Sequence, residues 1–126
     1  MFNFILVAIG GSIGASLRYS FYIASKNFLY PNYLFFNTLL VNIIGSFLIG
    51  YIVMLLGNKS VSEDFIKYFF IIGILGSFTT FSTFSLETVE LLINKKFLLA
   101  FFYMSLSLFI CVFFTFLGLN LNKLIN

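Results

Sequence analysis

Four long apolar runs, separated by short polar stretches, organise the chain. A helix that crosses a bilayer needs roughly 20 apolar residues. The first run extends from Phe2 to Ser25 and carries one charge, Arg18; the second, Leu34 to Leu56, carries none. The third extends from Phe65 to Ile93, and the fourth, uncharged, from Phe97 to Leu119. The connections Lys26 to Tyr33, Gly57 to Asp64 and Asn94 to Lys96 are short, and the first contains Pro31. The pattern predicts an all-α membrane protein of four transmembrane helices. Residues 1–126 form a single membrane domain, with no room for a soluble one.

The third run departs from the others. As one straight helix its 29 residues would extend roughly 43 Å, against a hydrocarbon core of about 30 Å. Its middle, GSFTTFSTFS from Gly76 to Ser85, holds six hydroxyl side chains. The paired Thr79 and Thr80 are poor helix formers. An interruption near Gly76 to Thr80 resolves both features. Non-helical backbone at membrane depth survives only where protein, ions or enclosed water satisfy it, as in channels and transporters. The competing expectation is a tilted, intact helix whose hydroxyls bond back to its own carbonyls.

Composition places lipid around the chain. Of its residues 61% are hydrophobic and 9% charged, where a soluble domain carries about 25%. Tyr19, Tyr22, Tyr30, Tyr33, Tyr51 and Tyr68 lie near the ends of the runs, where amphipathic rings anchor at the membrane interface. The net charge of +3 comes from basic residues standing singly or as one pair, which argues against a nucleic-acid partner. A single cysteine, Cys111, excludes an intrachain disulfide, and without His a zinc site is disfavoured. The apolar N-terminus lacks a basic leader region and reads as a retained helix.

Charge leaves orientation open. Lys59, Lys67 and Lys123 fall on one side; Lys26, Lys95 and Lys96 fall on the other, joined by Arg18 if it snorkels that way. The positive-inside rule needs an excess on one side. Two oppositely inserted copies that pair antiparallel are one outcome; an insertase or partner that fixes one orientation is the other. Gly10 with Gly14, and Ser46 with Gly50, have the small-residue spacing that lets helices approach, and general packing explains it equally well.

Polar side chains recur on single helix faces. Thr38, Asn42 and Ser46 are four apart on the second run. The Asn42 amide serves equally well as helix–helix glue or as a donor to a passing anion. Tyr103, Ser107, Cys111 and Thr115 repeat every four residues on the fourth run, as a weakly polar lane or as small-residue packing. Phe81 and Phe84 are three apart, with Ser82 and Thr83 between them. Their ring edges are electropositive and suit a small anion, although such pairs are more often core. Arg18 snorkels or sets a positive field at an anion entrance. Glu87 and Glu90 read as structural partners of a cation.

Three blocks together resemble the CrcB/Fluc family of fluoride channels: GGSIGASLRY from Gly10 to Tyr19, NTLLVNIIGS from Asn37 to Ser46, and GSFTTFSTFSLE from Gly76 to Glu87. The resemblance covers nearly the whole chain. It implies an antiparallel, dual-topology homodimer with two fluoride pathways that relieves the cell of fluoride passively. By position it assigns Asn42, Phe81, Phe84, Ser82, Thr83 and Tyr103 to the pathway and Arg18 to the vestibule; Thr38, which shares the Asn42 face, is expected to join the pathway. It also implies a structural sodium ion (Na+) at the dimer interface, held by the backbone carbonyls of Gly76 and Thr79 of both subunits. Ser77 stands where a second glycine is common, and Cys111 where a hydroxyl is common. Two other readings are weighed. A proton-coupled exporter of the small multidrug type needs a mid-membrane carboxylate, and Glu87 and Glu90 lie toward one end of their run. A non-transporting adaptor would need neither an interrupted helix nor aligned polar stripes.

Overall fold

The computed structural model describes residues 1–28, 35–56 and 63–125. Pro31, Tyr30, Tyr33, Leu34 and Lys59 lie outside the described residues. Four helical spans are long and apolar enough to cross a membrane, and no strand occurs among the described residues. Helix α1 is Phe2–Phe28 and α2 is Phe35–Leu56. The third span begins with α3 (63–78), which joins a helical turn Glu63–Phe65, a π-helical stretch Ile66–Leu75 and a turn Gly76–Phe78. Thr79 (φ −77°, ψ 157°) and Thr80 (φ −150°, ψ 121°) are extended. Then follow α4 (Phe81–Ile93) and α5 (Phe97–Ile125).

Local chemistry sets these boundaries. Thr80 caps α4, its Oγ1 accepting the Thr83 N–H at 3.2 Å. At the other end Lys95 adopts φ 58°, its N–H donating to the Leu92 carbonyl and that of Lys96 to the Leu91 carbonyl. That pairing is a Schellman turn, with lysine in the left-handed position glycine usually fills. It reverses the chain between α4 and α5 at the predicted Asn94–Lys96 turn. Near other span ends, Lys26 Nζ lies 4.7 Å from the Tyr22 ring centre and Lys67 Nζ 5.5 Å from that of Tyr68. Both pairs suit the headgroup level, where aromatic rings and lysines concentrate.

Helix packing is built on absent side chains. In lipid, association relies on close van der Waals fit rather than on water exclusion. Helix α1 lies on α3 through Gly10, Gly14 and Gly73; a Cβ on Gly10 would overlap the Phe69 carbonyl, and one on Gly14 the Ile74 carbonyl. Helix α2 lies on α5 through Gly50 and Gly118, set against the Thr115 and Phe47 carbonyls. A small core of Phe35, Leu39, Leu91, Ala100 and Tyr103 ties α4 to both. Large apolar side chains such as Phe109 and Phe116 point outward. On α1, Ser12, Ser16 and Ser20 each fold the hydroxyl onto a carbonyl three or four residues back.

Candidate functional site

Asn42, well inside α2, faces the extended pair of the third span. Its Oδ1 accepts the Thr80 N–H at 2.8 Å, and its Nδ2 donates to the Thr80 carbonyl at 3.0 Å. In an unbroken α-helix the Thr80 N–H would go to the Gly76 carbonyl, and the Thr83 N–H to the Thr79 carbonyl. Here the first goes to Asn42 and the second to the Thr80 hydroxyl. The carbonyls of Gly76 and Thr79 therefore lose their helical donors. Oxygen donors of this kind suit sodium, which unwound backbone carbonyls bind in other membrane proteins. Ser77 needs no special backbone angle, because it lies within the helical turn Gly76–Phe78. Its hydroxyl donates to the Gly73 carbonyl at 2.7 Å and reaches the Gly11 carbonyl of α1 at 2.9 Å.

A cavity of about 410 Å³ opens beside this pair, between α2, the third span and α5. Its lining includes Asn42, Ser46, Thr79, Thr80, Ser107 and Cys111, with Phe81 and Phe84 along one wall. No lining side chain is charged. The Phe81 and Phe84 ring centres are 5.5 Å apart. Phe84 reaches inward to within 5.1 Å of the Tyr103 ring centre, whereas Phe81 is 78% exposed. Ser107 Oγ is buried without a hydrogen-bond partner among the described residues. An unsatisfied buried hydroxyl costs about 1–3 kcal/mol, so this wall of the cavity holds a donor with no fixed commitment.

A second polar space, about 280 Å³, lies between α1, α2 and α4. Arg18, Asn37, Thr38, Thr80, Thr83 and Glu87 all reach it. Thr38 Oγ1 donates to Glu87 Oε1 at 2.8 Å, and the Tyr103 hydroxyl donates to Oε2 at 2.6 Å. Glu87 thus takes its bonds from two of the residues assigned to the pathway rather than from Arg18. Around Thr80, its hydroxyl donates to Thr83 Oγ1 at 3.0 Å and lies 3.3 Å from Ser82 Oγ.

The polar residues singled out in the sequence therefore divide. Asn42, Phe81, Phe84, Gly76 and Thr79 border the first cavity; Thr38, Thr83 and Arg18 border the second. The fourth-helix stripe splits likewise. Ser107 and Cys111 face the first cavity, Tyr103 is buried in the core, and Thr115 bonds its own Cys111 carbonyl. Glu87 as a shared acceptor had no sequence signal, because its donors come from two other helices. Asn37 likewise has no sequence signal, yet its Oδ1 is buried and unpartnered among the described residues.

Fold and site define a multi-pass membrane protein of four spans, with an uncharged polar cavity beside an extended stretch of the third. The family model described as CrcB-like protein, Camphor Resistance (CrcB) matches residues 5–119, and the chain belongs to that family. It is 46% identical over 121 residues to a protein of Shewanella woodyi named fluoride-specific ion channel FluC, covering 96% of each chain. Proteins of the same name from Agrobacterium fabrum and Campylobacter hominis are 41% and 36% identical, over 98% and 99% of this chain and 98% of theirs.

Proposed function

We propose that the protein is a fluoride-selective channel giving passive efflux and resistance to fluoride, and that two oppositely inserted copies form the working unit. The observation that carries this reading is the uncharged cavity where Asn42, Ser46 and Ser107 share walls with Phe81 and Phe84. Neutral donors replace an anion's hydration without the full charge that would trap it, and several weak sites allow exit as well as arrival. Electropositive ring edges continue the same logic. The names of the three relatives point the same way.

Thr38 and Tyr103 would serve a passing anion only by turning their hydroxyls away from Glu87. Thr83, at the second cavity, and Ser82, beside the Thr80 hydroxyl, offer further hydroxyls, while Arg18 supplies a positive field. Phe81, exposed at the cavity's open side, supports a second protomer covering it, and the balanced lysines support opposite insertion. Gly76 and Thr79 carbonyls of both subunits would hold a sodium ion, which when bound supplies positive charge to otherwise uncompensated carbonyl dipoles.

Purified protein in liposomes should release fluoride and retain chloride without a proton gradient. Fluoride release no faster than from empty liposomes would sink the reading.

A further inference from the structure

An extended Thr80 inside a membrane span needs a restraint. Unrestrained, its N–H would return to the Gly76 carbonyl and add another helical turn. Asn42 supplies both halves of a peptide group in its place, one accepting from the Thr80 N–H and one donating to the Thr80 carbonyl. The arrangement resembles one rung of a β ladder, with a side-chain amide as the second strand. Two bonds fix the orientation of the backbone where a single bond would leave it free to pivot.

Three residues further along the same face of α2, Gly45 receives the neighbouring threonine. A Cβ on Gly45 would overlap Thr79 Cγ2. Helix α2 therefore presents two matched features three residues apart: an amide for Thr80 and a vacancy for Thr79.

We infer that Asn42 and Gly45 form a two-point clamp that holds residues 79–80 extended and so creates the free carbonyls at Gly76 and Thr79. Asn42 is then a positioning residue for the carbonyl site as well as a wall of the anion cavity. Its pairing with Thr80 uses one N–H of the amide, and the second remains for the cavity. The lane and the carbonyl site share one side chain, so neither can be altered at Asn42 without the other being tested. The inference deepens the channel reading but rests on it only for what passes the clamp.

The experiment exploits the sequence. Thr79–Thr80 is the chain's one pair of adjacent threonines. Protein labelled only at threonine, with 13C at the carbonyl and 15N at the amide, gives one correlation linking the Thr79 carbonyl to the Thr80 nitrogen. In lipid bilayers the wild type should show this signal in the extended range. Asn42→Ala should move it to the helical range and cut fluoride release. Asn42→Asp, as the neutral acid, keeps an acceptor for the Thr80 N–H and a donor for its carbonyl. It should hold the signal in place yet still slow release roughly ten- to a hundredfold, because the second N–H is gone. Gly45→Ala should displace the same signal from the Thr79 side, and covers the case in which Asn42→Ala does not fold. Unmoved signals in the alanine variants, or a helical shift in Asn42→Asp, would overturn the clamp whatever the flux. The channel reading fails separately, on wild-type liposomes that release no fluoride.

Discussion

Gly10 on α1 and Gly73 on α3 meet backbone to backbone: a Cβ on Gly73 would lie 2.9 Å from Gly10 Cα. Neither backbone can swing aside as a side chain can. Gly10→Ala should therefore destabilise the fold by about 1–3 kcal/mol through overpacking. Gly11, one position along, has open space at its Cβ position. Gly11→Ala should be neutral or stabilise by about 0.5–1 kcal/mol, since alanine favours the helix. Thermal unfolding of the two variants in the same detergent checks the contrast.

Tyr103→Phe removes the donor at Glu87 Oε2 while leaving the buried ring in place. Loss of a partner by a part-buried carboxylate should cost about 1–3 kcal/mol. Thr38→Val removes the other donor, at Oε1. Because the two hydroxyls serve one carboxylate, the double variant should depart from the sum of the singles. A double-mutant cycle on unfolding free energies measures the coupling.

Lys95 holds a left-handed conformation that most side chains resist. Lys95→Gly should raise stability by about 1 kcal/mol, because glycine takes the left-handed conformation without a Cβ clash. A higher unfolding temperature is the expected result.

Phe81 and Phe84 should separate by readout. Phe81 is exposed on the protomer, so Phe81→Ile should keep the helical content of wild type and sharply slow fluoride release. Phe84 also packs on Tyr103, so Phe84→Ala should lower stability as well as flux. Circular dichroism beside liposome efflux distinguishes the pair.

Orientation is tested with charge. Asn58→Lys together with Ser60→Lys biases one loop and should fix insertion one way. The variant alone should lose fluoride release and regain it when co-expressed with a variant biased oppositely at the Asn94–Lys96 turn. Full activity of the lone variant would contradict antiparallel pairing.

The helices were legible because a bilayer imposes length and apolarity, which composition reveals directly; α2 begins one residue inside its apolar run, and α2 and α4 stop where their runs stop. Within the third span, Thr79 and Thr80 have extended backbone angles. The π-helical stretch Ile66–Leu75 left no trace in the sequence, since its residues are as apolar as any α-helical span. Individual polar roles were less legible. Spacing puts Thr38, Asn42 and Ser46 on one face, yet the partner of each is decided by other helices. Tyr103 shows the same limit: a regular stripe placed it beside Ser107, and burial against Phe35 and Phe84 set it in the core.

The serine ladder of α1 carries a consequence of its own. Ser12, Ser16 and Ser20 would suggest an adhesive seam, but each hydroxyl proton is already committed to its own helix. The serine face of α1 therefore offers no free hydroxyl donor. Whatever settles against it, acyl chains or protein, gains no hydrogen bond from these three protons and is held there by fit.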